Sequence, residues 1–373
     1  MTKVGILYDN ISGNTGDVAI GISVRKILDD LDVRYDELVP GNFDPREYEL
    51  IIVGGGHILR PGPDFFYDKF KIAGPHILNA AGILGNPDDL AYLNDYRYVT
   101  VRSTRDREKL EQAGIRAEVV PCTTMLLEDA EELPCDTRGP ALGIHLLPGM
   151  FESETERMFV EWASALPYRK YFIPITHYNR DYLYLDRICS LVDNSETVPL
   201  LSPREISAFI GKMDYFIGCS LHGGIFSYRH NVPFILFDYD EKMRSFMEDR
   251  GLERYLFRDA GELIKAFSLM ESEKPDYSGK IESDLEVLSR HLDRLGSLLA
   301  PCRGQRGAEV PGDRPDLMHQ VLNLQDQVRL LKQENARLTR DLSSCGREGS
   351  TSRSGTLRSA VQAARDWLKS PSE

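Results

Sequence analysis

Two side chains of opposite chemical temper, His222 and Lys242, sit in equivalent places of one repeating local pattern within residues 214–252. The apolar run YFIG at 215–218 has the length and composition of a buried strand. It is followed by Cys219-Ser220-Leu221-His222-Gly223-Gly224 and a short helix. A second buried strand, VPFILF at 232–237, ends at Asp238-Tyr239-Asp240-Glu241-Lys242, before a helix with Met243, Phe246 and Met247 at helical spacing. Polar residues thus gather at the carboxyl ends of two strands, the edge at which open α/β sheets bind ligands. An imidazole titrates near neutral pH and an ammonium is a fixed point charge, so the pair suits acid–base chemistry on an anionic substrate. A helix-start histidine held by backbone and a solvated lysine would be the plainer account of each residue alone.

Other polar clusters follow the same rule of position. The stretch 4–8 reads as a first strand and leads into Asp9-Asn10-Ile11-Ser12-Gly13-Asn14-Thr15-Gly16-Asp17, a glycine turn before an apolar-striped helix. Turn amides and helix dipole point the same way there, which favours an anion; the turn lacks a Walker lysine and the GxGxxG spacing. Asp17 is a candidate to orient or deprotonate a hydroxyl, or simply to cap the helix. The strand at 50–53 runs into Gly54-Gly55-Gly56-His57, where glycines admit close approach of a ligand or another backbone. The strand at 98–101 leads to Arg102, and the strand at 171–177 ends at His177. His57 and His177 are weaker candidates, since no spacing implicates them.

The run SLHGGIFSYRHNVPFILFDYDEKMRSFMEDRGL (220–252) resembles the polysaccharide pyruvyl transferases, with their Ser/Arg-Leu-His turn, small-residue helix, Pro-containing strand and Tyr-Asp-x-Lys turn. Gly-Asn-Thr-Gly-Asp at 13–17 and Arg102 before a helix ending near Gly114 are similar to the same family. Two departures are visible: Ser103 and Cys122 stand where the family tends to carry carboxylates. The resemblance covers roughly residues 1–300. It implies two doubly wound, Rossmann-like domains in a glycosyltransferase-B-like arrangement with a cleft between them. It also implies phosphoenolpyruvate as donor substrate, a sugar or lipid-linked glycan acceptor, a pyruvate ketal as product, and no further cofactor or metal. On that basis His222 would be catalytic, Arg102, Lys242, Ser220 and Leu221 would hold the donor, and Gly16, Asp17, Gly54 and Gly55 would lie on the acceptor side or shape the turns. A nucleotide-sugar glycosyltransferase with the same cleft, and a non-catalytic assembly protein, are the rival readings.

The elements that must position these residues alternate strand and helix across both halves, the pattern of parallel α/β sheets. We expect a first domain over 1–135 and, after the proline- and glycine-containing stretch 134–140, a second over 136–300. A closing helix over 278–300 carries Ile281, Leu285, Leu288, Leu292, Leu295 and Leu299 on one stripe. Residues 301–316 read as a linker. Over 317–345, Val321, Val328, Asn335 and Leu342 share one heptad position and Leu317, Leu324, Leu331 and Leu338 the other. Valine at a, leucine at d and one a-position asparagine predict a parallel two-stranded coiled coil, hence a homodimer. Residues 346–373 read as a flexible tail with a short amphipathic helix able to touch an anionic membrane surface.

Charge narrows the partners. The chain carries 45 Lys/Arg and 58 Asp/Glu, and the excess of acid lies in the first 300 residues. An acidic body argues against a nucleic-acid groove. Six cysteines without CxxC or zinc spacing suit a reducing compartment. The start MTKVGILYDN has no signal-peptide h-region. The expected setting is cytoplasmic, with at most peripheral contact at the inner membrane face.

Overall fold

The computed structural model describes residues 3–176 and 181–303. The predicted heptads, the tail and His177 lie outside them.

Two parallel six-stranded sheets form the body. The first contains β1 (Val4–Leu7), β2 (Tyr35–Leu38), β3 (Leu50–Gly54), β4 (Ile77–Ala81), β5 (Tyr98–Val101) and β6 (Glu118–Val119), in the order β2-β1-β3-β4-β5-β6. The second contains β7 (Ala141–His145), β8 (Arg169–Phe172), β9 (Ser195–Thr197), β10 (Tyr215–Gly218), β11 (Phe234–Phe237) and β12 (Leu256–Phe257), in the order β12-β11-β10-β7-β8-β9. Strands β1, β3 and β10 are buried throughout, which is why they read as unbroken apolar runs in the sequence; β4 and β7 are equally buried but carry Asn79 and His145. The edge strands β2 (YDEL) and β9 (SET) have no such run, so periodicity does not reveal them.

Each sheet reverses its order of strand addition once. In the first sheet this happens between β1 and β3, in the second between β7 and β10. Crevices open at such points because the flanking connections leave to opposite faces. Helices α1 (Thr15–Asp30) and α6 (Leu221–Arg229) follow β1 and β10 directly, so the Gly16-Asp17 turn and the Ser220-Leu221-His222 turn each start at a reversal. Helix α2 (Thr104–Gln112) follows β5, and α7 (Glu241–Glu248) follows β11.

The closing helix α9 (Ser278–Leu299) serves both sheets rather than the second alone. Near its start, Asp284 holds Arg250 at 2.7 Å and Lys280 donates to the Arg250 carbonyl at 2.6 Å. Toward its end, His291 lies 2.9 Å from Asn79 Oδ1 on β4 and 3.3 Å from the Tyr98 hydroxyl on β5. His291 is therefore buried in the stripe, while the expected Leu285 remains exposed.

Candidate active site

The site begins with two helix caps. Asn14 Oδ1 accepts from the Gly16 amide at 2.9 Å and so fixes the start of α1. Asp9, buried at the end of β1, accepts from the amides of Ile11 and Ser12 at 3.3 and 2.9 Å, while its Oδ2 has no hydrogen-bond partner. On the other side, Ser220 caps α6 through the Gly223 amide. The first amides of the helix, at Leu221 and His222, then have no helical carbonyl to bond.

One cleft of about 690 Å³, open at its mouth, is lined by Asp9, Asp17, His57, Arg60, Arg102, Ser220, Leu221, His222 and Lys242, with Tyr67 and Tyr239 at its sides. Asp17, Arg102, Ser220, Leu221, His222 and Lys242, chosen from sequence, thus face one space although they come from four separate turns. Gly16 touches it from behind: any side chain there would collide with His222 at Nδ1. That close packing of the Gly16 backbone on the imidazole is why a glycine is needed. Gly54 and Gly55 do not line the cleft. Gly54 packs on Asn79, and Gly55, with φ of +76°, packs on Ile20 of α1. The glycine that reaches the site is Gly56, which lies beneath the Asp17 carboxyl.

Electrostatics divides these groups. Burial, then the neighbouring Arg102 and Lys242, pushes the His222 imidazole down to about 3. It is therefore neutral in the unliganded cleft, which corrects the expectation of an imidazole poised near neutrality: desolvation and two cations outweigh its intrinsic basicity. The group held near neutrality is Asp17, pushed up to about 7 by burial and by Asp9, against the opposing pull of Arg102, Lys242 and Arg60. His57 is driven well below its ordinary value by burial and the same cations. The Lys242 ammonium is lowered by burial although Asp240 sits 3.6 Å away. Arg102 has a buried Nη2 without a partner. A loosely paired lysine and an arginine with an orphaned donor make a site for an anion.

The two missing carboxylates find different answers. Ser103 caps α2 and donates to Asp106 Oδ2 at 2.7 Å, and Asp106 Oδ1 accepts from the Ile83 amide at 3.0 Å. The acid near Arg102 is thus supplied three residues downstream. At Cys122 there is no such replacement. Its Sγ lies 3.8 Å from His222 Nε2 and accepts from the Thr124 hydroxyl at 3.2 Å, so a thiol occupies the place beside the imidazole.

Asp9, Arg60, Tyr67 and Tyr239 escaped sequence reasoning. Asp9 carried a usable signal, since it directly ends the β1 segment. Arg60 follows the glycine run but belongs to no motif. Among the described residues no group of three or more His, Cys, Asp or Glu side chains could hold a metal ion.

Fold and site together define a two-domain α/β protein with a cleft that gathers buried cations, an imidazole and a carboxyl. The family model of polysaccharide pyruvyl transferase matches residues 14–241, more than half of the chain and most of the cleft, including Asp17, Arg102 and His222 but not Asp9 or Lys242. The chain belongs to that family. Among solved structures with a similar fold is the S. aureus MnaA–UDP complex, at TM-score 0.50 and 10% identity, covering 72% of this chain and 88% of that one. Others are the UDP-GlcNAc 2-epimerase of Methanocaldococcus jannaschii (TM-score 0.48, 13% identity, 72% and 92% covered) and the sucrose-phosphate synthase of Thermosynechococcus elongatus (0.48, 11%, 81% and 99%). At these identities the likeness concerns the fold alone. No curated protein matches the chain. No helix among the described residues is long and apolar enough to cross a membrane.

Proposed function

We propose that this cleft transfers the pyruvyl carbons of phosphoenolpyruvate to two hydroxyls of one sugar, forming a cyclic ketal and releasing phosphate. The observation that carries the reading is the meeting of Arg102, Lys242, His222 and Asp17 in a single cleft. Arg102 and Lys242 neutralise the donor's carboxylate and phosphate, helped by the first amides of α6 at Leu221 and His222.

The chemistry needs one proton delivered to the methylene carbon and two removed from hydroxyls. Neutral His222 accepts the proton of the attacking hydroxyl. Asp17, still half protonated near pH 7, gives its proton to the methylene carbon, which becomes the methyl group. The first hydroxyl oxygen bonds to the central carbon, the bond from that carbon to the phosphate oxygen breaks, and phosphate departs with the electron pair. The second hydroxyl then bonds to the same carbon, and its proton leaves with phosphate or solvent.

The test is incubation of the full chain with phosphoenolpyruvate and a panel of sugars, measuring phosphate release and a pyruvyl mass gain on the acceptor. Sugar transfer from a nucleotide sugar without phosphate release from phosphoenolpyruvate would overturn the reading in favour of a glycosyltransferase. Phosphoenolpyruvate is an intracellular metabolite, which supports a cytoplasmic setting. The heptads over 317–345 support a homodimer, checked by light scattering on the full chain and on a form ending at residue 316.

A further inference from the structure

We infer that Arg60 forms a second anion subsite, selecting a sugar acceptor that carries its own negative charge. The inference rests on the pyruvyl transfer reading and concerns the acceptor half of the same cleft. Arg60 lies in the loop after β3, and its Nε donates to the His57 carbonyl at 2.7 Å. Its guanidinium lies 3.5 Å from the Tyr67 ring centre. These two contacts fix the plane of the side chain. Its terminal nitrogens have no hydrogen bond or ion pair among the described residues, although the side chain lines the cleft. A guanidinium locked by stacking, with its terminal edge open, is pre-organised to bind a carboxylate or phosphate in the two-pronged geometry lysine cannot provide.

The donor does not need this arginine. Its two anionic groups are met by Arg102, Lys242 and the α6 amides, all close to His222. With its Nε on the His57 carbonyl, Arg60 stands by His57; its charge acts on Asp17, His57 and Lys242, behind Arg102 in each case, and is not among the cations that perturb His222. Arg60 is therefore set apart from the imidazole. Asp9 lines the cleft too, and its amide contacts at Ile11 and Ser12 offset part of its charge. Two residues before Tyr67 in the chain, Phe65 is 91% exposed with the Lys69 ammonium 4.7 Å from its ring centre, an aromatic shelf of the kind that supports a pyranose face. Anionic edge recognition beside an aromatic shelf specifies a uronic acid or a glycosyl phosphate.

The experiment is calorimetric titration of the full chain, saturated with phosphoenolpyruvate, with glucuronate, glucose 1-phosphate and glucose. At least one anionic sugar is expected to bind about tenfold or more tighter than glucose, the size of one charge-assisted hydrogen bond. The preferred one tells a ring carboxylate from an anomeric phosphate. Arg60→Met should erase the preference and leave the phosphoenolpyruvate Kd unchanged, while Arg60→Lys should keep part of it. Thermal melts verify that both variants fold. Equal binding of all three sugars by the wild type overturns the inference. So does an Arg60→Met variant that loses phosphoenolpyruvate as Arg102→Ala does, since Arg60 would then be a donor residue. A wild type that binds no phosphoenolpyruvate, titrated with the sugars alone, refutes the donor reading and still reports on Arg60.

Discussion

Arg102 and Arg105 stand three residues apart and do opposite work. Arg105, in the first turn of α2, bonds Glu241 at 3.2 Å and Glu248 at 2.9 Å on α7. Lys109 reaches Glu241 from the next turn, and the Thr104 amide donates to Asp249 at 2.9 Å. Together they lace the first domain to the second along the outside of the cleft. Arg102, one turn earlier, faces inward and keeps a donor unsatisfied. The same division holds on α7, where Glu241 belongs to the clamp and Lys242 to the cleft. Residue type does not separate scaffold from site here. What separates them is whether the fold saturates the cation with close carboxylates, as at Arg105, or leaves a buried donor unsatisfied among the described residues, as at Arg102.

The largest expected effect lies on the unsatisfied side. Arg102→Ala should weaken phosphoenolpyruvate binding by about ten- to a hundredfold, the cost of one or two hydrogen bonds to a charged group. Calorimetry checks it, and unchanged binding would mean that the orphaned donor faces no ligand. Next comes Gly16→Ala, whose methyl group must displace the His222 ring. Turnover should fall by about a hundredfold, since displacement by about 1 Å is costly to a reacting group, with much less change in donor Kd. A variant with normal turnover would show that the position of the His222 ring does not govern the reaction.

Asp17→Asn sharpens the contrast through pH. The native state holds the Asp17 proton up to about 7, whereas the unfolded chain releases it near 3.8. Stability from this group is therefore complete below the unfolded value and is lost as pH rises through the native one. The wild type should lose stability across that window, and the asparagine variant should lose less, so that above pH 7 it melts at the higher temperature. Identical pH–Tm slopes would contradict the buried carboxyl. Cys122→Asp should raise the His222 pKa by placing a carboxylate beside Nε2, moving the acid limb of the turnover profile upward; an unmoved limb would separate His222 from the rate. The smallest effect belongs to the clamp. Arg105→Ala removes partly exposed pairs worth about 1 kcal/mol or less each, so its melting temperature should drop slightly, and less in high salt. A large loss of phosphoenolpyruvate affinity in this variant would break the division between clamp and site.

The sequence by itself determined the local units. Buried parallel strands must be apolar throughout, so β1, β3 and β10 declare themselves. The turns after β1 and β10 are capped within a few residues, by Asn14 on Gly16 and by Ser220 on Gly223. Such short-range geometry is encoded where it occurs, and strand-end placement together with the family resemblance nominated Asp17, Arg102, His222 and Lys242. Only the tertiary structure decided which groups meet. It laid His222 against Gly16 and beside Cys122, placed Asp106 near Arg102 in place of an acid at Ser103, and turned α9 back so that His291 reaches Asn79 and Tyr98. It also set the protonation states, leaving His222 neutral and Asp17 protonated up to about 7. The reason is physical: a side chain's type and spacing are local, but its desolvation and the charges around it are set by chain segments a hundred or more residues away, and no pattern along the chain records that sum.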